Sequence, residues 1–288
     1  MRSLLLLLFI AAVAKAAVSP EKIETIRGLL RDHKVAEAES ATRAVIAADP
    51  NEAEGYALLG SISLAKGDPN AAVTACEKAV ELAPQNSEYR RQLGEAYGFT
   101  AQKAGIITKM SWAKKCRLAY EKAVELDPQN LNARSSLMMF YQQAPGIIGG
   151  SAEKAYAQAG EIKKIDASQG RTAYAMLYIG EKKYAEAFTE LEEALKAAPE
   201  NYLALYQFGR LAGMTGERMD HGVEALQKCL TLSPPPGAPG YDAVHWRLGN
   251  LRDKQGDKKA ARAAYEAALA INPGYQQASD ALKKLDAK

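Results

Sequence analysis

Histidine and cysteine are scarce in this 288-residue chain, at three each, and only two tryptophans occur. His33, His221 and His245 have no partner at the i, i+4 spacing by which a helix presents two ligands to one metal ion, and no paired-cysteine metal motif is present. A nucleophile elbow and a glycine-rich dinucleotide loop are missing too, and acidic pairs such as Glu192 and Glu193 fall where solvated helix surfaces are expected. No catalytic residue, cofactor or metal is therefore assigned, and the chain reads as a non-enzyme. Cys76, Cys116 and Cys229 are odd in number and far apart, unlike the dense even sets of disulfide scaffolds. They are expected as buried free thiols, a Cys76–Cys116 bridge being the alternative.

Neither sign of charge is in excess. With 37 basic and 34 acidic residues the net charge is +3, which gives no global attraction for nucleic acid. The N-terminus is a separate case: Arg2 precedes the eleven apolar residues Leu4 to Ala14, and Ala14-Lys15-Ala16 offers small residues at the two positions a signal peptidase reads. That run is too short to cross a bilayer, which takes about 20 residues. Residues 1–16 read as a signal peptide cleaved after Ala16, with Ala14 as the other site, so the mature chain is expected to be periplasmic or secreted.

From residue 17 onward the chain is repetitive. Helix-sized apolar stretches end at Asp49-Pro50, Ala83-Pro84, Asp127-Pro128, Asp166-Ala167, Ala198-Pro199, Ser233-Pro234 and Asn272-Pro273, at intervals of 34, 44, 39, 32, 35 and 39 residues. Such a period marks stacked units, each too small to bury its own apolar face. The unit from Asp242 to Pro273 is the clearest. Ala261, Ala264, Tyr265, Ala268 and Leu269 lay one apolar stripe along its second helix, Gly256-Asp257 marks the turn, and Gly249 and Ala261 are small where the two helices must approach.

This spacing of Leu-Gly, Ala, an aromatic residue and Pro resembles the tetratricopeptide repeat family, with further copies carried by Tyr56, Leu59, Gly60, Ala72 and Pro84 and by Tyr174, Tyr178, Ala187, Leu191 and Pro199. The first unit lacks the Leu-Gly pair, and the fourth ends in Ala167 instead of proline. The resemblance implies an all-α, right-handed solenoid of about seven helix pairs over residues 17–288, closed by a C-terminal capping helix that carries Ala278, Leu282 and Leu285 on one face.

Three intervals exceed the basic period. Extra residues at 98–111 and 142–151 belong to helix-to-helix turns of adjacent units and are expected to meet on one edge; the third lies in the proline-rich loop 233–240. From Ala96 to Tyr120 there is no acid, while Lys103, Lys109, Lys114, Lys115 and Arg117 alternate with Phe99, Ile106, Ile107, Met110 and Trp112. A basic segment of this kind can sit on an anionic membrane or an acidic partner. The alternative is that its apolar residues fold back as a local core. Gly149-Gly150 in the second insertion reads as a tight turn, because the lysine and hydroxyl of a nucleotide loop are missing.

In proteins of the resembled family the first helix of each unit lines a concave groove that takes a peptide or a partner's helix. Transferred to this chain, those positions are Arg91 and Phe99, Met139, Thr172 and Met176, Tyr206 and Arg210, then Trp246, Arg247 and Asn250, with Trp112 added from the basic insertion. The middle of the groove is expected to be apolar and its C-terminal part aromatic and arginine-rich, residue types that often dominate binding energy. The function this implies is an exported scaffold that holds a cell-envelope protein. The other two readings are a membrane-peripheral assembly factor docking through residues 98–117 and an enzyme with an unrecognised site.

Overall fold

The computed structural model describes residues 19–235 and 237–286; the leader expected over residues 1–16 lies outside them. Helix follows helix, with no strand among the described residues. Seven pairs are formed: α1 (Pro20–Arg31) with α2 (Val35–Ala48), α3 (Ala53–Ala65) with α4 (Pro69–Leu82), α5 (Ser87–Lys103) with α6 (Ile106–Leu126), α7 (Leu131–Gln143) with α8 (Ala152–Ile165), α9 (Ala167–Gly180) with α10 (Tyr184–Ala197), α11 (Tyr202–Thr215) with α12 (Met219–Cys229), and α13 (Tyr241–Lys254) with α14 (Lys258–Ile271). The capping helix α15 (Gln276–Asp286) packs on the last pair, burying Ala278 and Leu285 and leaving Lys283 and Lys284 exposed.

Local chemistry sets the helix ends. Asn86, Asn130 and Asn201, just after the unit-ending prolines, accept from the backbone N–H groups of Tyr89, Ala133 and Ala204 and so start α5, α7 and α11. Where proline is missing at Ala167, Asp166 caps both sides: it ends α8, and its side chain accepts from Gln169 N at 2.8 Å to start α9. Within each pair the small residue of the Leu-Gly position admits the second helix. A Cβ at Gly94 would lie 2.5 Å from the ring of Tyr120, and one at Gly249 would collide with the ring of Tyr265. Cys76, Cys116 and Cys229 occupy the same inner layer as free, buried thiols.

The two insertions differ in kind. Residues 98–111 form no loop: they lengthen α5 to 17 residues and α6 to 21, with only Ala104 and Gly105 between the helices. The stretch has no proline and two glycines, of which only Gly105 falls at the break, among helix-favouring Ala, Gln, Lys and Met, so continuing both helices satisfies its backbone. The second insertion stays irregular. A 3-10 turn at Gly146–Ile148 leads into Gly149 at φ 99°, a conformation glycine adopts without strain, and Ser151 N returns to Tyr141 O at 2.8 Å. The side chain of Arg117 on α6 packs directly against Gly149, and Gly98, Ala101 and Gln102 share one recess with Ala144 and Ile148, so the two insertions adjoin.

Candidate partner-binding groove

Two layers make the solenoid. Each first helix packs on the first helix of the next unit, from α1 through α15, whereas no second helix touches another second helix. The first helices therefore form the inner wall. Polar latches fix one unit on the next: Asn130 Nδ2 donates to Ser87 Oγ at 2.8 Å and Ser87 Oγ to Ala123 O at 2.9 Å, and two units later Asn201 Nδ2 donates to Ser168 Oγ at 2.8 Å and Ser168 Oγ to Ala194 O at 3.0 Å. Each serine hydroxyl is buried and both donates and accepts.

A cavity of about 870 Å³ runs along this wall from Arg91 and Glu95 on α5, past Ser135 on α7 and Thr172 on α9, to Tyr202 on α11. Pro235 and Ala238 of the proline-rich loop close its far side, held by a hydrogen bond of 2.7 Å from Tyr202 Oη to Pro239 O. The middle of the wall carries Asn132, Ser135, Ser136, Ser168, Gln169 and Thr172, because Met139 and Met176, the apolar residues expected there, stand about one turn further along their helices. Met176 packs into the core around Leu137, Leu177 and Tyr120. Met139 lines a neighbouring recess of about 410 Å³ between α5, α6 and α7, with Cys116, Phe140 and Ile148. Ser135 and Ser136 border both spaces, so the groove adjoins the recess.

The arginines fall into two classes. Arg91 is neutralised inside its own helix, with Nη2 and Nε bonding Glu88 at 2.6 and 2.9 Å and Nη1 bonding Glu95. Burial raises the Glu95 pKa above its ordinary value, and Arg91 opposes that shift. Arg210 and Arg247 have no carboxylate within ion-pair distance among the described residues. Arg210 Nη1 donates to Gln207 Oε1 at 3.1 Å; the Arg247 guanidinium lies 4.1 Å from the Trp246 ring centre and its Nε is 3.5 Å from Tyr206 Oη. Burial lowers the Arg210 pKa, and the charge of Arg247 lowers it further. Two half-buried cations thus face one another across adjacent first helices. Trp246 stacks edge-on with Tyr275 at 5.8 Å, and Asn250 Oδ1 accepts from Tyr265 Oη at 2.9 Å, which commits Asn250 to the fold.

Of the residues expected in the groove, Arg91 and Thr172 line the larger cavity and Met139 the smaller; Met176, Tyr206, Arg210, Trp246, Arg247 and Asn250 line neither, and nor do Phe99 and Trp112. Phe99 is covered by Lys103 at 4.8 Å, while Trp112 packs on Tyr97 at 5.7 Å beneath Lys115 at 4.4 Å. Trp112 folds back onto the core around Leu93 and Val80 and Phe99 is half-buried, whereas Ile106 and Ile107 remain almost fully exposed. Ser87, Asn130, Ser168 and Asn201 each follow a unit-ending residue within three positions, a signal legible in the sequence.

Residues 24–87, 169–201 and 243–275 each match a family described as tetratricopeptide repeat. The chain carries tetratricopeptide repeats. A tetratricopeptide repeat protein of Parabacteroides merdae shares the fold at a TM-score of 0.56 and 17% identity, over 92% of this chain and 97% of that one. A thermophilic tetratricopeptide protein of Thermus thermophilus aligns at 0.55 and 17%, over 73% and 98%. A chain of the APC/C hetero-tetramer Cut9–Hcn1 aligns at 0.53 and 17%, over 96% and 57%. By sequence the chain is similar to the BBSome complex member BBS4 of Bos taurus, at 29% identity over 217 residues, or 75% of this chain. The match spans 38% of that relative's length. A solenoid of these repeats is a scaffold for protein–protein interaction.

Proposed function

We propose that this tetratricopeptide protein is exported and holds an acidic segment of a cell-envelope protein in its concave groove. The observation that carries the reading is the placement of Arg210 and Arg247 on adjacent first helices, with Arg247 Nε 3.5 Å from Tyr206 Oη one turn before Arg210, and with no carboxylate within ion-pair distance of either among the described residues. A carboxylate from a partner supplies that missing counter-charge and can take bidentate hydrogen bonds from arginine. Trp246 supplies aromatic surface beside the charges, a combination that concentrates binding energy at interfaces, whereas Tyr206 is buried in the core and only its hydroxyl approaches Arg247. The recess lined by Met139, Phe140 and Ile148 has room for an apolar side chain of the same segment. Among the similar proteins, BBS4 is by its name a member of a complex, and the Cut9–Hcn1 chain comes from a hetero-tetramer. Export rests on the leader pattern of residues 1–16.

Fluorescence anisotropy with labelled peptides tests the groove. Glutamate-rich peptides containing one leucine or phenylalanine should bind more tightly than their lysine-rich counterparts. Replacing Arg210 and Arg247 together by alanine should weaken that binding on the order of tenfold or more. Equal binding of acidic and basic peptides, or indifference to the double substitution, would remove the reading. N-terminal sequencing of the protein recovered from an envelope fraction tests export, with a new end at residue 17 or 15 expected.

A further inference from the structure

Apolar exposure is concentrated at one place on this molecule. Seven large apolar side chains are exposed among the described residues, and five of them, Ile106, Ile107, Met110, Leu118 and Ile147, belong to α6 and the neighbouring turn. Ile106 is 88% exposed, Ile107 94% and Ile147 82%. They are not scattered. Helix α6 has 21 residues where the other second helices have 14 or fewer, so it is about 10 Å longer at 1.5 Å per residue. The two adjacent isoleucines form its first turn, and Met110, Lys114 and Leu118 continue the same outward stripe at i+3 or i+4 steps from Ile107. Ile147 lies beside the far end of this stripe, since its turn rests on α6 at Arg117, next to Leu118 and about three turns from the isoleucines.

The charges around the tip have one sign. No acid occurs from Ala96 to Tyr120, and the second insertion, residues 142–151, carries no charge. Lys103 and Lys115 are held by Gly67 O and by the Tyr97 and Trp112 rings. Lys109 and Lys114 are exposed and form no ion pair among the described residues. Isoleucine side chains on a projecting convex tip offer no pocket for a partner's side chain. They form a wedge, which a fluid apolar phase can accept and a folded protein surface accepts poorly. Unpaired lysines beside such a wedge complement an anionic headgroup layer.

We propose that the α5–α6 hairpin tip docks the protein on an anionic lipid surface, with Ile106, Ile107 and Met110 entering the headgroup–acyl boundary and Lys109 and Lys114 contacting anionic headgroups. The tip belongs to a second helix, on the outer layer, so docking leaves the groove of the first helices open to a protein partner. This inference stands independently of the groove reading.

Co-sedimentation of the full chain with vesicles of phosphatidylglycerol and phosphatidylcholine, against phosphatidylcholine alone, tests it at physiological salt. Wild type and variants carry the same leader, so its contribution is common to all. Ile106→Asp with Ile107→Asp, and separately Lys109→Glu with Lys114→Glu, should each lower partition to the anionic vesicles on the order of tenfold. The helical circular dichroism signal should stay unchanged, because these side chains are exposed. In a Trp246→Phe background, brominated lipid should quench Trp112. Anionic vesicle binding that both double variants retain, no preference for anionic over neutral lipid, or unquenched Trp112 would each overturn the docking. Peptide binding in the groove should survive both tip variants, so failure here is separable from failure there.

Discussion

His33 Nε2, in the turn of the first helix pair, lies 3.1 Å from Oδ2 of Asp242, in the first turn of the seventh pair. The same carboxylate oxygen accepts from Asn272 Nδ2 at 2.9 Å. Residues at opposite ends of the solenoid therefore share one buried carboxylate, and the superhelix brings its first unit round to its last. Removing the imidazole with His33→Ala should cost little stability, within about 1 kcal/mol, because the imidazole is exposed and Asn272 still donates to the Asp242 carboxylate. Small-angle scattering should nevertheless report a larger radius of gyration as the two ends separate.

The Leu-Gly positions admit no side chain. A methyl group at Gly249 must displace the buried Tyr265 ring, and one at Gly94 must displace Tyr120. Gly249→Ala and Gly94→Ala should each destabilise by about 1–3 kcal/mol, read as a lower denaturant midpoint at unchanged slope.

Helix-to-helix turns offer the opposite test. Gly67 and Gly256 take positive φ values of 76° and 83° in the second and seventh units, whereas the fifth unit places Lys182 there at 61°. Lys182 is exposed, and its side chain gains nothing that offsets a left-handed backbone. Lys182→Gly should raise stability by about 1 kcal/mol, seen as a higher thermal midpoint.

Burial pushes the thiols of Cys76, Cys116 and Cys229 up to about 12 from the ordinary 9.0. The unfolded chain therefore releases these protons from about pH 9, while the folded chain keeps them to about pH 12. Their contribution is complete below pH 9 and is lost as pH rises through that window. Buried Tyr141 and Tyr265, also raised to about 12 chiefly by burial, act with the same sign. Unfolding free energy should decline between pH 9 and 12, and a thiol reagent at pH 8 should label the chain only when it unfolds.

Much of this architecture can be read from the sequence because each unit states its own boundaries: a proline or an acid stops one helix, an asparagine or aspartate caps the next, and glycine admits the partner helix. The paired arginines were visible as residue types on neighbouring first helices, but their lack of carboxylates depends on packing. Neutralisation of Arg91 was legible, since Glu88 and Glu95 sit at i−3 and i+4. Extra residues at 98–111 fall between two helices, where a period alone suggests a loop, but their helix-favouring composition lets both helices continue. The latches Ser87–Asn130 and Ser168–Asn201 join residues a full repeat or more apart, and only the stacking of units sets them within reach.

Site-specific photo-crosslinking in the native envelope tests the groove most directly. A photoreactive residue at Leu203, on the groove wall, should give an adduct with one acidic protein, and that adduct should disappear when Arg210 and Arg247 are both alanine. An adduct that survives the double substitution, or one obtained only from a probe at Leu118 on the outer layer, would contradict binding in the groove.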